Sequence, residues 1–552
     1  MKKITALLFA ALIILTAMLS GCTDTAPQAS STNAAASPTV AAAAPTSAAA
    51  TSAPAEPEPL PLTKLTVEVF DRGNMESSYG TPTDNKWTQL IKDAILQECN
   101  IEVEYFAVPR NDEISQLNVL MAAGTAPDIV FTYETPIWQN YCSLGGVADL
   151  TEPIQLYGEN ILANMSDALP YGQFEGRQMA LFAKRANVTM RGAFMRKDWA
   201  DALNIEIGMT DYGGYSMSVE DVYNAMKAFA EANLDGAPAG QVWGMSNYGT
   251  SHYAMLALIE AFYDQQALTD EILAVYPPFM WPNAKEGYRF VNQLFNEGLV
   301  YPDFALISGV MDKTLFGEHI TNGNVGIWFN DGTYGFGNNG VYETLRQNTP
   351  TAEVITFEVL NQEGKPSYKQ VYAPIGFVIF VPSFSKNVDG AVMYLNWLAD
   401  YQNDRVLRLG FEGEHYDMVD GVPTVIDLDY NTKTRVSTGD LCLMYNGNPN
   451  LEENLAATLI NLPEPDRPIR EMAELIDNYN SFAPATFTSV IRSELDYSVA
   501  LEEKEGELRV KIIMCKPEDF DATWDKLVNE YLSIGGQAVI DEKQAVWNEF
   551  YK

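Results

Sequence analysis

The sequence predicts an α/β fold, because patterns typical of strands and of helices alternate along its first structured stretch. Residues 65–70 alternate between apolar and polar side chains with a period of two, as in a half-buried strand. Residues 87–95 place apolar side chains at helical spacing, and a second strand pattern follows at 101–108. A strand, a helix and a second strand are the start of a parallel sheet.

Two further elements extend this pattern. A helix is predicted over 113–123 and ends at Gly124, since glycine readily takes the left-handed conformation that closes a helix. A short apolar strand follows at 129–133. The alternation of three strands with two helices predicts a doubly wound unit with a parallel sheet.

Polar and aromatic side chains follow the first and third strands of this unit. Asp71 and Arg72 come after the first strand, and Tyr133 and Glu134 lie at the end of the third. Ligands of open α/β sheets bind beyond the carboxyl ends of the strands. These four residues are therefore predicted to form the rim of a ligand site.

The N-terminus has the pattern of an export signal. Two lysines precede an apolar run at 4–18, which is shorter than a membrane-spanning helix. The run ends in Leu-Ser-Gly-Cys at 19–22, which resembles the bacterial lipobox. We therefore expect residues 1–21 to be a signal peptide and Cys22 to carry lipid; the alternative is an ordinary secretory signal with a chance cysteine.

Residues 22–62 are rich in alanine, serine, threonine and proline, and they contain few large apolar side chains. Such a segment cannot bury enough apolar surface to offset the entropy lost on ordering. It is predicted to be a flexible tether between the lipid and a folded body.

The charge of the chain excludes some classes of partner. The formal net charge is −38, and 47% of the residues are hydrophobic. A surface so negative repels nucleic acid and anionic lipid, so no nucleic-acid partner is expected. It also disfavours an acidic polysaccharide as ligand, unless a local basic pocket exists. Arg72 and Arg191 could hold a ligand carboxylate or could be solvated, and Arg196 is expected to pair with Asp198.

Motifs of metal sites and of common enzymes are missing. Residues 233–240 lack the spaced carboxylates of a calcium loop, and 427–438 departs from the EF-hand pattern at Thr432 and Thr438. No phosphate loop, no GxSxG elbow and no HExxH motif is present. We expect no metal, no cofactor and no catalytic residue, although abundant carboxylates leave a glycosidase pair possible. The four cysteines beyond Cys22 are expected to be lone buried thiols.

Several segments resemble the extracellular solute-binding proteins of ABC transporters, in their carbohydrate-type branch. Residues 121–129 resemble the family's small-Gly-x-x-Pro-Asp-Ile segment, and 196–199 resemble its Arg-Lys-Asp-Trp helix start. Further segments resemble the family in the same order along the chain: 286–299, 302–304, 316–327, 410–416, 531–537 and 541–551. The ordered set is more specific than any one segment.

This resemblance implies a periplasmic-binding-protein-like type II fold, with two α/β lobes joined by a hinge and a ligand cleft between them. Lobe one would comprise residues 63–183 and 371–420. Lobe two would comprise residues 184–370 and 421–552, including C-terminal helices.

Sugar sites combine aromatic faces, which cover the C–H surfaces of sugar rings, with planar polar groups for the hydroxyls. Several aromatic residues of this chain lie in loop-like or strand-end segments instead of helical stripes. The candidates for ligand contact, beside the four rim residues, are Trp243, Trp281, Trp328, Asn330, Asp331, Tyr334 and Tyr416. Trp328 could equally be a core residue at the end of a strand.

Together the residues and the resemblance favour a substrate-binding lipoprotein of an ABC importer. It would capture a small polar solute, with an oligosaccharide favoured, by hinge closure, and deliver it to the transmembrane permease subunits. It would act as a monomer, anchored by lipid at the extracellular face of the cell membrane. The alternatives are a receptor for peptides or another small nutrient, and a surface glycoside hydrolase.

Overall fold

Two sheets covered by helices organise the part of the chain that the computed structural model describes. The described residues are 61–185, 191–246, 255–307, 313–337, 340–419, 422–442, 455, 458–460, 462–483, 487 and 489–552. They belong to one structural unit, Leu60–Lys552. The predicted signal peptide 1–21, Cys22 and nearly all of the predicted tether lie outside the described residues.

The elements are numbered along the chain. The strands are β1 (Thr63–Asp71), β2 (Ile101–Pro109), β3 (Val130–Thr132), β4 (Gln173–Phe174), β5 (Arg177–Gln178), β6 (Leu181–Lys184), β7 (Gly192–Arg196), β8 (Gly208–Met209), β9 (Tyr215–Met217), β10 (Trp243–Ser246), β11 (Val325–Asn330), β12 (Val354–Val359), β13 (Lys369–Gln370), β14 (Ile375–Phe380), β15 (Tyr416–Val419), β16 (Val422–Val425) and β17 (Ser481–Phe482).

The helices are α1 (Lys86–Cys99), α2 (Glu113–Ala123), α3 (Thr135–Ser143), α4 (Thr151–Tyr157), α5 (Glu159–Asn164), α6 (Lys197–Ala202), α7 (Val219–Ala232), α8 (Leu256–Glu260), α9 (Asp270–Val275), α10 (Ala284–Asn296), α11 (Lys313–Thr321), α12 (Val341–Asn348), α13 (Val388–Leu398), α14 (Tyr401–Leu409), α15 (Leu428–Thr434), α16 (Thr438–Leu441), α17 (Arg467–Asp477), α18 (Arg492–Met514), α19 (Phe520–Tyr531) and α20 (Gln537–Phe550). Within this described set, no helix combines the length and the apolar character needed to cross a membrane.

Lobe one contains the predicted doubly wound unit. β1 and β2 pair in parallel along their whole length, and a parallel bridge from Val67 to Ile129 attaches the start of β3. The predicted order of strand, helix, strand, helix, strand is confirmed by β1, α1, β2, α2 and β3. β14 comes from far along the chain and lies antiparallel between β3 and β6. The apolar run at 376–381 predicts a buried strand in lobe one, and β14 confirms it. Its antiparallel direction was not predicted, because its pairing partners are distant in sequence.

Lobe two is built on a mixed six-stranded sheet with the order β10-β11-β7-β12-β9-β8. β7 runs antiparallel to both of its neighbours, so the carboxyl ends of β11 and β12 lie at the same edge as the start of β7. Buried side chains of α7, α10 and α18 fill a core that is separate from the core of lobe one. The starting residue of β7, Gly192, therefore marks the edge of this sheet that is nearest the crossing between the lobes.

One predicted boundary needs correction. Residues 421–552 were all assigned to lobe two, but 428–442 pack on lobe one. Leu441 and Cys442 are buried in the lobe-one core, and the Trp87 indole donates a hydrogen bond to the Thr434 carbonyl at 2.6 Å. The chain has reached lobe two by Asp466, which accepts from the Gly337 amide. The sequence did not reveal this, since helices of either lobe have the same apolar periodicity.

The cysteines beyond Cys22 are free thiols, as predicted. The predicted burial is confirmed for Cys142 and Cys442 but is wrong for Cys99 and Cys515, which lie at the ends of helices and are half-buried.

A buried arginine ties the end of β7 to the loop after α7. The fully buried Arg196 guanidinium pairs with Asp198 and with Asp235, each at 2.6 Å. The predicted Arg196–Asp198 pair is thus confirmed. Asp235 also accepts a hydrogen bond from the Trp199 indole at 3.1 Å. Because Arg196 has no access to water, both carboxylates are needed to compensate its charge.

We expect Asp235→Ala to lower the free energy of unfolding by about 2–4 kcal/mol, because it leaves a buried guanidinium only partly compensated. Asp201→Ala, which removes an exposed partner of Lys197, is the control and should change it by about 0.5 kcal/mol or less. Urea unfolding followed by tryptophan fluorescence measures both. Equal effects of the two substitutions would contradict this account.

Candidate ligand-binding site

The carboxyl ends of the lobe-one strands bring two arginines onto one tyrosine. Arg72 follows β1 and donates a hydrogen bond to the Tyr133 hydroxyl at 3.4 Å. The Arg110 guanidinium, which follows β2, lies 4.4 Å from the centre of the Tyr133 ring. The Tyr133 ring also packs edge-on against Phe377, with the ring centres 5.2 Å apart. A half-buried aromatic ring at the end of β3 is thereby fixed in position.

Carboxylates lie beside and beneath this ring. The buried Glu113 accepts hydrogen bonds from the Thr132 hydroxyl and the Tyr133 amide, and it pairs with Arg110 at 2.7 Å. Glu68 on β1 is 1% exposed, and burial raises its pKa to about 8. The Phe131 amide opposes this rise, and the charge of Glu113 adds to it. A neutral Glu68 therefore lies below the rim at neutral pH.

The remaining two predicted rim residues are exposed. Asp71 accepts a hydrogen bond from the Gly73 amide at 2.9 Å, which closes the turn after β1. Glu134 precedes α3, and loss of solvent is the main cause that raises its pKa. The charges of Glu113 and Glu502 raise it further, while Arg110 lowers it. Because Glu502 belongs to α18 of lobe two, a charge of the opposite lobe acts on the Glu134 carboxyl group.

Two segments cross between the lobes and carry a second aromatic contact. The first crossing follows β6 at Arg185, and the second is residues 371–374, between β13 and β14. The Arg185 amide donates a hydrogen bond to the Pro374 carbonyl at 2.8 Å, which joins the two crossings. The Arg185 guanidinium lies 4.2 Å from the centre of the Tyr372 ring. The Tyr372 hydroxyl donates to the Asp331 carboxylate at 3.0 Å. The predicted residue Asp331 thus contacts the crossing segment through an aromatic residue that was not predicted.

A cavity of about 530 Å³ lies between the start of α3 in lobe one and the C-terminal helices of lobe two. This volume is in the range of small-molecule sites. Its lobe-one wall is formed by Thr135, Pro136 and Gln139. The lobe-two wall combines aromatic, amide, hydroxyl and charged side chains, among them Tyr276, Trp281, Gln370, Phe487, Ser489, Glu494, Ser498, Glu502, Glu505, Tyr531 and Lys543.

A buried ion pair lies at the first entry into lobe two. The Arg191 guanidinium donates to Glu260 at 2.7 Å and to the Gln370 side chain at 3.2 Å. The Arg191 amide donates to the Asp477 carboxylate at 3.3 Å. Arg191 is 3% exposed, so it is neither a solvated charge nor open to a ligand carboxylate. Its role is to hold four segments of lobe two together.

Three predicted ligand residues lie in the core of lobe two, which corrects the prediction that they contact a ligand. Trp328 is fully buried and its ring stacks on Phe194, with the ring centres 6.2 Å apart. Asn330 is fully buried and accepts a hydrogen bond from the Asp331 amide. Tyr334 packs against Phe316. Trp328 and Asn330 are buried because β11 is an inner strand with every side chain buried. Tyr334 follows the strand and is buried by its packing on α11.

Three others are spread over the molecule. Trp243 pairs with Val325 at the start of β11, whereas Asp331 follows the end of that strand. Six strand residues span about 20 Å, so Trp243 is at the opposite end of the sheet from Asp331. Tyr416 is buried against Leu409 in lobe one. Trp281 does line the cavity, with its indole donating to a backbone carbonyl and only 4% of its surface exposed.

Sequence reasoning missed several residues of this region. Arg110 follows β2 as Arg72 follows β1, so the rule of strand ends could have identified it. Tyr372 and Arg185 lie in the crossing segments, where no local pattern marks a ligand site. Glu502 is one of many acidic residues of a long surface helix, and only the contact between α18 and α3 makes it distinctive. Across the described residues, no group of three or more His, Cys, Asp or Glu is arranged to hold a metal ion.

Comparison with known proteins supports the fold. No family model matches the chain. It is 21% identical over 344 residues to the lipoprotein LipO of Bacillus subtilis strain 168, an alignment that covers 60% of this chain and 64% of LipO. It is 21% identical over 379 residues to the polygalacturonan/rhamnogalacturonan-binding protein YtcQ of the same strain, covering 63% of this chain and 70% of YtcQ.

Among solved structures, the chain matches an HMO-binding, ABC-transporter-associated solute-binding protein from Bifidobacterium longum infantis ATCC 15697. The TM-score is 0.61 at 18% identity, and the match covers 89% of this chain and 99% of that one. The predicted fold of an ABC-transporter solute-binding protein is therefore confirmed.

Glu68→Gln tests the carboxyl group beneath the rim. A folded pKa of about 8 against an ordinary value of 4.5 means that the unfolded chain ionises first as pH rises. In the unmodified protein this group's stabilising contribution is complete below pH 4.5 and is lost progressively up to about pH 8. We expect Glu68→Gln to raise the free energy of unfolding at pH 8 by about 4 kcal/mol and to change it little at pH 4.5.

Thermal unfolding between pH 4.5 and pH 8 checks this expectation. Glu104→Gln, at an exposed position of β2, is the matched control. Parallel pH profiles for the unmodified protein and Glu68→Gln would show that Glu68 does not titrate as described.

Proposed function

We propose that this chain is the substrate-binding lipoprotein of an ABC importer, and that it captures an oligosaccharide in the cleft between its two lobes. The observation that carries the proposal is the 530 Å³ cavity whose walls come from both lobes. Apolar and aromatic surface combined with amides and hydroxyls fits the alternating C–H and O–H surfaces of a sugar.

The ligand is captured when the two lobes close around it. A ligand that fills the cavity contacts Gln139 of lobe one together with Gln370 and Ser498 of lobe two. Such a ligand has more contacts when the lobes are close, so it stabilises the closed arrangement. The crossing segments near Arg185 and Tyr372 are short and joined by hydrogen bonds, which suits a hinge between two rigid bodies.

The names of the matched proteins support the choice of ligand and partner. YtcQ is named for binding carbohydrate polymers, and the matched structure is described as HMO-binding and ABC-transporter-associated. These descriptions favour a saccharide over a peptide and an ABC permease as the receiving partner. We further propose that the protein acts as a monomer, because a single chain provides both walls of the cavity.

The proposed receptor delivers its ligand unchanged, whereas a surface glycoside hydrolase would cleave it. The matched proteins are described as binding proteins or as a lipoprotein. Two carboxylates that line the cavity, Glu494 and Glu505, are paired with Lys543 and Arg509. A carboxylate whose oxygens already contact a basic side chain suits a structural role better than proton donation to a glycosidic oxygen. We expect a bound glycan to be recovered intact.

Anchoring places the receptor beside its permease. We propose that Cys22 carries the lipid, that 22–62 is the tether, and that the protein is held at the extracellular face of the cell membrane. A tethered binding protein delivers its ligand at a high effective concentration, whereas a free one would diffuse away.

Tyr276 and Phe487 are half-buried aromatic residues that line the cavity. For a glycan found by a thermal-shift screen, we expect Tyr276→Ala and Phe487→Ala each to weaken binding about tenfold in calorimetry. Trp243→Phe, at a position that does not line the cavity, should leave the affinity within about twofold. A larger loss from Trp243→Phe than from either of these substitutions would place the ligand elsewhere, and binding of peptides without any saccharide would overturn the sugar proposal.

Cys22→Ser removes the proposed lipid attachment and nothing else of the folded body. We expect the unmodified protein to incorporate labelled palmitate in its bacterial host and to fractionate with membranes. The variant should incorporate no label and should appear in the medium or the periplasm. Equal membrane association of both forms would contradict a lipid anchor.

A further inference from the structure

Gln370 is a residue of the cavity wall whose side chain is held by a buried ion pair. Its side-chain oxygen accepts a hydrogen bond from the Arg191 guanidinium at 3.2 Å, and its backbone amide donates to the Glu260 carboxylate at 3.4 Å. Arg191 and Glu260 are paired at 2.7 Å, and both are buried. A charged group without access to water therefore determines how the side-chain amide of Gln370 is turned.

An arginine can only donate hydrogen bonds, so it fixes which end of an amide faces it. The oxygen of Gln370 must face Arg191, because the opposite orientation would place two donors against each other. The amide nitrogen is bonded on the other side of the same carbon, so it is turned away from the ion pair. Within the part of the chain that the structure describes, this nitrogen donates to no protein group. Since Gln370 is half-buried and lines the cavity, its two N–H groups are available to a ligand there.

Side chains that can only donate are scarce among the described residues of this wall. The Lys543 ammonium pairs with Glu494 at 2.5 Å, and the Trp281 indole donates to a backbone carbonyl at 2.9 Å. The wall also carries glutamates of α18, and an ionised carboxylate can only accept. A sugar hydroxyl that donates to a carboxylate still has lone pairs, which need a donor. Gln370 supplies such a donor from lobe two.

We propose that Gln370 is a specificity-determining residue of the cleft, which donates a hydrogen bond to an oxygen of the bound sugar. The Arg191–Glu260 pair is the positioning pair that prevents its amide from turning over. This inference rests on the proposed function and adds what the ligand must offer at one position, namely a hydroxyl or carbonyl oxygen that accepts. A protonated amine has no lone pair and is rejected there. A glutamine free to turn would tolerate both groups, so the buried pair makes the side chain selective.

Gln370→Glu separates the donor from the acceptor of this side chain. The substitution keeps the shape and an oxygen for Arg191, but it removes both N–H groups. We expect the affinity for a neutral sugar to fall about five- to tenfold in calorimetry. The melting temperature should stay within about 2 °C of the unmodified protein. Gln266→Glu adds the same charge at an exposed position outside the cavity, and this control should keep the affinity within about twofold.

Gln370→Met removes the oxygen as well as the nitrogen. It should lower both the affinity and the melting temperature, because the buried guanidinium of Arg191 loses an acceptor. A purely structural role of Gln370 predicts another pattern. In that case Gln370→Glu would bind sugar as tightly as the unmodified protein, and only Gln370→Met would be impaired.

The sugar itself tests the direction of the hydrogen bond. The probes are maltotetraose, cellotetraose, mannotetraose and chitotetraose, and the tightest binder is carried forward as a set of singly modified analogues. Fluorine in place of a hydroxyl keeps a weak acceptor and removes the donor, whereas hydrogen in its place removes both. At the position that Gln370 contacts, the fluoro analogue should bind about threefold more tightly than the deoxy analogue. Gln370→Glu should abolish that difference.

The outcomes separate this inference from the proposed function. Unchanged binding by Gln370→Glu, or equal affinity of fluoro and deoxy analogues at every position, would overturn the role of Gln370 and leave an oligosaccharide receptor intact. A melting temperature of Gln370→Glu as low as that of Gln370→Met would overturn the role of Arg191 in fixing the amide. Failure of all four tetramers, with the protein folded by circular dichroism, would overturn the proposed function together with the inference.

Discussion

The buried ion pair between Arg191 and Glu260 fixes the point at which the chain enters lobe two. Arg191 directly precedes β7, which is flanked by strands on both sides in the six-stranded sheet. The same guanidinium contacts Gln370, which directly precedes the second crossing. Leaving either charge of such a pair uncompensated costs about 3–5 kcal/mol, so these segments have one stable arrangement. The position of both crossings, and with it the cleft, depends on this contact.

Lobe one and lobe two have separate hydrophobic cores, so each lobe is expected to move as a rigid body. Lobe one closes around β1, β3 and β14, while lobe two closes around its own sheet and the long helix α18. Close packing makes each core resist deformation, so movement is concentrated in the short crossings between them. A cavity whose walls come from both bodies then changes shape when the crossings bend. In the proposed function, this arrangement couples ligand binding to lobe closure.

The surroundings of a charged side chain decide whether it holds elements of the fold together or stays exposed to solvent. Arg196, Arg191 and Glu113 are buried and paired, and they hold elements in place. Glu134 and Glu502 are exposed on opposite lobes, and within the described residues neither is part of an ion pair. The total charge of −38 would suggest only a generally acidic surface. Acidic side chains outnumber basic ones by 73 to 35, so burial and pairing, and not charge alone, distinguish the carboxylates that hold the fold together.

The sequence by itself determined the local elements and the order of the first sheet. β1, α1, β2, α2 and β3 follow from periodicity and from a terminating glycine, because these signals depend on neighbours along the chain. It also identified Asp71, Arg72, Tyr133 and Glu134 as strand-end residues, since the carboxyl ends of parallel strands share one edge.

Only the tertiary structure decided which aromatic residues are core and which face the cleft. Trp328 and Tyr334 have the composition of a sugar site, but an inner strand and its covering helices bury them. Tyr372 and Glu502 look ordinary in sequence. Their positions are set by contacts with residues far away along the chain, with Arg185 for Tyr372 and with helix α3 for the helix that carries Glu502. The side that a residue faces is set by which elements pack on it, and that packing is a property of the whole fold.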